Sequence, residues 1–361
     1  MVPVIVVGRG LAGLTTAMCL AKANVPVKVL FNSRDKNAAT QAAHGICTIK
    51  GILESDTERF NSHLKGHRGF EAWLTGWEGY LNKKRPDGVW ISGVREVFAG
   101  PNEFRAEFGR IYRKDFFGAK NVIFTSANCG QFVEAFYPGD FWIDPSYLIN
   151  TYEDCCRKLG VCFEDFAVSR SSVERGHIDV FSEDGKIIKT RALIICAGFG
   201  TVPMLAGYDL SEERLYAVSG YTFRGRSNQT DGCFVKKTTG VAFKDGVSHF
   251  GSTSDKAIKM EDRSDSLRWR TPAEEEGLAS LLFQDTFHAL SKKYEAKKLS
   301  DVESRWGVRV RTNKRLPLVK LLHKTSNGGV WINFGYYKSG IILSWRLARD
   351  LAAEVEARIT A

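Results

Sequence analysis

Six residues near the start of the chain, Gly8-Arg9-Gly10-Leu11-Ala12-Gly13, have the types and spacing to hold a pyrophosphate. In such a loop the first glycine allows a tight turn. The second lets the backbone approach the phosphates, and the third lets a helix pack closely on a strand. The helix that follows offers backbone N–H groups and the positive end of its dipole to the anion. Sites of this kind use an acid at the end of the second strand to accept the ribose hydroxyls. Here that strand runs from Val29-Leu30 into Phe31 and Asn32. Asn32 keeps hydrogen-bonding capacity toward a ribose, and Asp35 can reach back from the loop. Arg34 can instead meet a 2′-phosphate, which would favour NADP. The cysteines, at 19, 47, 129, 155, 156, 162, 196 and 233, form no CxxC pair. A metal site is therefore not expected, and free thiols in a reducing cytoplasm are. The adjacent pair Cys155-Cys156 could close only a strained bridge.

The elements that position the loop are legible around it. Val4 to Val7 is a β-branched run, as in a strand buried on both faces. Leu14 to Ala23 is small, apolar and helical in character, and Val27 to Leu30 is a second strand, giving βαβ order. Residues 58–82 read as helical, with Phe60, Phe70, Trp73, Trp77 and Tyr80. Residues 88–135 read as strand-rich. Asp144-Pro145-Ser146 opens a helix to about Leu159. Short strands follow, including Ile178 to Val180 and Ile187-Ile188, and Ala192 to Cys196 is another buried strand. Residues 216–255 read as antiparallel strands, and about 273–296 as a long helix. Val330 to Phe334 is a strand feeding a final helix from about Ile341 to Ile359. Nucleotide-binding elements thus lie at both ends and in the middle, with strand-rich segments between them. The expectation is an α/β protein: a doubly wound, Rossmann-like domain with an interleaved α+β domain built on an antiparallel sheet. The boundaries read as 1–60, 136–213 and 305–361 for the first domain, and 61–135 and 214–304 for the second.

The 361 residues favour two domains, and the 43 % hydrophobic and 25 % charged content is that of a soluble globular protein. No apolar run is long enough to cross a membrane, and the N-terminus reads as a buried strand rather than a signal peptide. There is no internal repeat and no low-complexity linker. The net charge of +10 attracts polyanions in general. It reads either as a solubility property or as the mark of a nucleic-acid substrate. Basic clusters such as Lys83-Lys84-Arg85 and Arg305, Arg309, Arg311, Lys314, Arg315 are short, so no basic tail announces itself.

Four segments together carry a family resemblance. They are the N-terminal fingerprint, the small-residue stretch Ala38-Ala39-Thr40-Gln41-Ala42-Ala43-His44-Gly45-Ile46, the helix start Trp142-Ile143-Asp144-Pro145, and a C-terminal block. In that block Gly307 to Val319 matches a G-x-R…T…P pattern, with Asn313 read in place of an aspartate, and Gly335-Tyr336-Tyr337-Lys338-Ser339-Gly340 matches a glycine-rich turn. The chain resembles the D-amino-acid oxidase superfamily of FAD-dependent amine oxidases, in particular the glycine oxidases. It also resembles the oxidase half of the bifunctional enzyme that completes 5-methylaminomethyl-2-thiouridine in tRNA.

The resemblance implies FAD, bound non-covalently because no Cys lies in the C-terminal motifs. It places the cofactor on Gly8, Gly10, Leu11, Ala12, Gly13, Asn32, Ser33, Thr40, Gln41, Ala43, His44, Val168, Ala197 and Gly198. At the other end it places it on Gly335, Tyr336, Tyr337, Lys338, Ser339, Gly340 and Ile341. It gives Arg309 the substrate carboxylate, for which a planar guanidinium fork is suited. Lys338, His44 and Tyr337 join it as catalytic candidates. Tyr221 and Tyr336 are candidates for the pocket lining, and Lys256 for helping oxygen react. The implied reaction moves a hydride from an amine-bearing carbon to flavin, and water then hydrolyses the imine. The expected partner is a small amine or a glycine-like, N-substituted glycine substrate, in the cytoplasm and without a membrane. One alternative is a stand-alone tRNA-modifying oxidase acting on a carboxymethylaminomethyl uridine. Another is a flavin dehydrogenase that does not use oxygen.

Overall fold

A computed structural model describes residues 2–35, 39–48, 65, 90–98, 101–103, 123–127, 132–210, 212–227, 231–236, 239–251, 257–259 and 300–360. In chain order its elements begin with β1 (Val4–Val7), helix α1 (Leu11–Lys22), β2 (Val27–Phe31), β3 (Ile46–Cys47), β4 (Trp90–Phe98), β5 (Ile123–Ala127) and β6 (Phe132–Ile143). Helix α2 (Pro145–Lys158) leads to β7 (Cys162–Asp165), β8 (Val168–Glu174), β9 (His177–Ser182), β10 (Ile187–Thr190) and β11 (Ala192–Ile195). A short 3-10 helix (Gly198–Leu205) precedes β12 (Leu215–Arg226), β13 (Gly232–Lys236), β14 (Thr239–Lys244), β15 (Val247–Gly251) and β16 (Ile258–Lys259). The chain continues through β17 (Ser300–Thr312), β18 (Leu318–Thr325), β19 (Gly328–Phe334) and helix α3 (Gly340–Thr360). The helical readings of 58–82 and 273–296 lie outside the described residues.

The described strands fall into three sheets. A six-stranded sheet has the order β18-β19-β11-β1-β2-β7 and is parallel except for β18, which runs antiparallel to β19. A three-stranded antiparallel sheet has the order β10-β9-β8. The third sheet runs β16-β12-β15-β14-β13-β4-β6-β3, with β17 on β12 and β5 on β6. It is mostly antiparallel, with β13 and β4 parallel. β6 and β17, which cross positions 136 and 305, both lie in this third sheet.

Burial explains the layering. β1, β11 and β19 are buried along their whole length, as parallel strands covered on both faces must be. One face, with Val4, Val6, Val29, Ile194 and Trp331, packs against α1, α2 and α3. The other, with Ile5, Val7, Leu193, Ile195 and Ile332, packs against the three-stranded sheet, the 3-10 helix and the inner faces of β12 and β17. Helices therefore cover one side of the parallel sheet and antiparallel strands the other. α2 begins where the sequence places it: the Asp144 carboxylate accepts from the N–H groups of Ser146 (2.7 Å) and Tyr147 (3.2 Å), and Pro145 occupies the first turn. Among the described residues no helix is long and apolar enough to cross a membrane.

Candidate functional site

The glycine loop lies between β1 and α1, and two of its glycines cannot be replaced without moving the backbone. Gly8 sits at φ +114°, a region closed to most side chains. A Cβ on Gly13 would fall 1.8 Å from the Gly8 carbonyl oxygen. Gly10 caps α1 in extended conformation with no side-chain hydrogen bond, and no acid stands in the first turn. The N–H groups of that turn lack intrahelical partners and carry the positive end of the dipole. They open on a cavity of about 840 Å³ that is lined by Gly8, Gly10, Leu11 and Ala12. The arrangement fits a pyrophosphate and leaves no space at Gly13 for anything but hydrogen.

The same cavity gathers most of the residues assigned from sequence. Thr40, Gln41, Ala43 and His44 line it, with the Thr40 hydroxyl 3.4 Å from the Leu11 N–H. Val168, Ala197 and Gly198 line it as well, as do all residues from Gly335 to Ile341. α3 thus points a second helix N-terminus at the cavity, again without an acid in its first turn. Ser33 does not line the cavity. Its N–H and hydroxyl are bound to Asp165 at the end of β7, at 3.0 and 2.5 Å.

Arg309 lies on β17, where period-2 alternation buries Trp306, Val308 and Val310 in the core and turns Arg309 to the cavity. Its guanidinium carbon lies 5.6 Å from the centre of the Tyr337 ring, and Lys338 Nζ lies 5.6 Å from the same ring. Tyr337 is in the left-handed region (φ +52°), and its N–H donates to the Val310 carbonyl (3.1 Å). That bond ties the C-terminal turn to β17 next to Arg309.

The other aromatic and histidine candidates have structural work. Tyr221 is fully buried and stacked on Phe223. Tyr336 donates its hydroxyl to Asn333 Oδ1 (2.5 Å), Asn333 Nδ2 donates to Thr16 Oγ1 (2.9 Å), and Thr16 donates to the Ala12 carbonyl (2.7 Å). This buried chain links the C-terminal turn to the first turn of α1. His44 Nε2 lies 3.1 Å from the His249 carbonyl, so the neutral ring donates there. Burial lowers its pKa to about 4, against a smaller upward pull from that carbonyl. His44 is therefore uncharged near neutral pH and spends one ring nitrogen on the fold. Lys256 and the cluster Lys83-Lys84-Arg85 lie outside the described residues.

The exit of β2 differs from the usual plan. Phe31 lies under the Arg9 guanidinium, 4.2 Å from ring centre to Cζ. Asn32 Oδ1 accepts from the Arg34 N–H (3.0 Å), so its carbonyl is committed to its own turn. Arg34 is off the cavity wall and paired with Glu183 (2.9 Å). Glu183 itself lines the cavity, as do Asp35 and Arg315. Neither Glu183 nor Arg315 was found as a site residue from sequence. Glu183 sits in a turn, Ser182-Glu183-Asp184-Gly185, whose local pattern announces only a hairpin. Arg315 was visible only as part of a basic cluster. The seven described cysteines are free, and all but Cys162 are buried. Burial pushes the thiols of Cys19, Cys155 and Cys196 up to about 12. Among the described residues no His, Cys, Asp or Glu group could hold a metal ion.

Comparison with known proteins places this geometry. No curated protein matches the sequence. Among solved structures, iminodiacetate oxidase from Chelativorans sp. BNC1 superposes with a TM-score of 0.80 at 18 % identity, covering 98 % of this chain and 95 % of that one. Glycine oxidase from Bacillus cereus gives 0.78 at 16 % identity, covering 99 % and 95 %. L-proline dehydrogenase from P. horikoshii gives 0.69 at 13 %, covering 99 % and 94 %. These identities speak for a shared fold. The family model described as FAD dependent oxidoreductase (DAO) matches residues 3–354, nearly the whole chain. Its cofactor is the dinucleotide that the glycine loop and the two helix N-termini are built to receive, and the chain belongs to the DAO family of FAD-dependent oxidoreductases.

Proposed function

We propose that this oxidoreductase oxidises the C–N bond of a small amine carrying a carboxylate, of the glycine or N-substituted glycine class. The observation that carries the reading is the grouping of Arg309, Tyr337 and Lys338 on one wall of the FAD cavity. FAD, held by the glycine loop and the N-terminus of α3, would supply the hydride acceptor for the amine-bearing carbon, and water would then hydrolyse the imine to a carbonyl and an amine. Arg309 holds the carboxylate through its two parallel N–H groups, which fixes the orientation of the neighbouring carbon. Lys338, exposed at the rim, adds positive charge, and the Tyr337 ring spaces the two cations. The N-terminus of α3 favours negative charge in the cavity. His44, neutral and with its ring N–H given to the His249 carbonyl, shapes the wall.

The six-stranded sheet carries the dinucleotide in this reading. Residues 61–135 and 214–304 form the substrate side. FAD is held without a covalent bond: Cys47 and Cys196 both line the cavity, and burial raises both thiols far from the thiolate form that would attack a flavin. Free thiols throughout the described chain favour a reducing compartment such as the cytoplasm.

Glycine oxidase and iminodiacetate oxidase, two proteins of this fold, are named for substrates of the proposed class. The test is anaerobic bleaching of the flavin absorbance by glycine, sarcosine, iminodiacetate, proline and bulk tRNA. Bleaching by a glycine-like acid, lost in Arg309→Met, is expected. Bleaching by amines without a carboxylate, at equal rates in both proteins, would remove Arg309 from the reading. Bleaching confined to tRNA, with salt-sensitive binding, would move the substrate to the modified uridine. Peroxide release on admitting air separates an oxidase from a dehydrogenase.

A further inference from the structure

We propose that Glu183, in the turn between β9 and β10, supplies the ribose-binding carboxylate that the exit of β2 lacks. The proposal rests on FAD occupying the cavity with its pyrophosphate at the glycine loop, which puts its adenosine ribose at the C-terminal end of β2. At that end Phe31 is packed under Arg9, and the Asn32 carbonyl is used within its own turn. Neither residue offers the paired acceptors that a ribose diol needs.

Among the described residues, Asp35, Asp165 and Glu183 bring carboxylates to this end, two through the cavity wall and Asp165 through Ser33. Asp165 is spent on Ser33, accepting from both its N–H and its hydroxyl, and is not part of the cavity wall. Asp35 lines the wall from the loop beyond Asn32, with its N–H on the Asn32 main-chain carbonyl (3.2 Å). Glu183 lines the wall from a different element, and its position is set twice. Its N–H donates to the Ala167 carbonyl (2.8 Å), which keeps the hairpin turn beside Phe166, Ala167 and Val168 on the same wall. Its Oε2 accepts from the Arg34 guanidinium (2.9 Å). Arg34 thereby orients the carboxylate, while Oε1 has no hydrogen bond among the described residues. A carboxylate held on one oxygen and open on the other is suited to accept from the ribose hydroxyls. The pairing also removes Arg34 from service as a 2′-phosphate ligand, consistent with FAD rather than NADP in this cavity.

The experiment titrates apoprotein with FAD and with an FAD analogue whose adenosine ribose lacks both hydroxyls, following flavin fluorescence. The unmodified chain is expected to bind the analogue about tenfold or more weakly, the worth of hydrogen bonds to a charged acceptor. Glu183→Ala is expected to weaken FAD by a similar factor of about ten and to leave the analogue unaffected, so that the two losses do not add. Arg34→Gln, which keeps the carboxylate, retains discrimination between the two ligands. Additive losses in Glu183→Ala overturn the proposal. Loss of discrimination in Asp35→Asn but not in Glu183→Ala also overturns it and assigns the ribose to Asp35. None of these readouts uses turnover, so failure to oxidise a glycine-like amine would leave them standing.

Discussion

The two ends of the chain meet the cofactor cavity by different means. The loop Gly8–Gly13 presents backbone: it works because side chains are missing, and a Cβ at Gly13 would lie 1.8 Å from the Gly8 oxygen. The turn Gly335–Gly340 presents side chains, set by tethers. Tyr336 is tied through Asn333 and Thr16 to α1, and Tyr337 through its N–H to Val310, beside Arg309. A backbone surface has no tolerance for an added atom. A side-chain surface can lose one group and persist with altered properties. The first end therefore suits a dinucleotide, and in the proposed function the second helps to select what is presented to it.

Substitutions can break this contrast, beginning with the most severe. Gly13→Ala forces two backbone segments apart, and we expect a loss of about 3 kcal/mol or more in unfolding free energy together with loss of bound flavin. Urea denaturation and flavin content read both, and an alanine variant with full flavin would refute the backbone argument. Arg309→Met should retain flavin while kcat/KM for a glycine-like acid falls by about 10² to 10³, the worth of two ionic hydrogen bonds.

The next effect is in pH. His44 is held to about 4 in the folded chain against about 6.5 unfolded, so the unfolded state binds the extra proton first. The stability that neutral His44 supports is intact above pH 6.5 and is lost as pH falls toward 4, by up to about 3 kcal/mol. The fall should be shallower in His44→Gln, as followed by urea midpoints across that range. His249, also lowered to about 4 by burial, adds to the same window. The smallest expected effect is at the tether. Asn333→Leu strands the Tyr336 hydroxyl and should cost about 2 kcal/mol. Adding Tyr336→Phe should recover part of that loss, because the two residues share one hydrogen bond.

The contrast also explains what the sequence disclosed. Backbone requirements write themselves into local residue choice. Gly8, Gly10 and Gly13, the Asp144-Pro145 helix start and the glycine-flanked turn before α3 were all readable at their positions. β17 is readable from its alternation, since Val308, Val310 and Thr312 alternate with Arg309 and Arg311. Side-chain sites assembled from distant elements leave no such trace. Nothing in Ser182-Glu183-Asp184-Gly185 says that the turn returns to the end of β2. Likewise, the Tyr336–Asn333–Thr16 chain joins residues more than three hundred positions apart. That one face of the parallel sheet would be covered by antiparallel strands follows from packing between β12, β17 and the sheet, which no local pattern records.

The order of strands across the parallel sheet has a consequence for how the enzyme is made. β19 sits two places from β1, and α3 packs on α1. β1, β2, β7, β11 and α2 all precede α3 in the chain, so the part of α1 that α3 covers stays open until α3 is made. Contacts that span almost the whole sequence form slowly. Both the first loop and the last turn line the same cavity, so a ligand that fills it is expected to stabilise the folded chain, with flavin supply during growth raising the yield of intact protein.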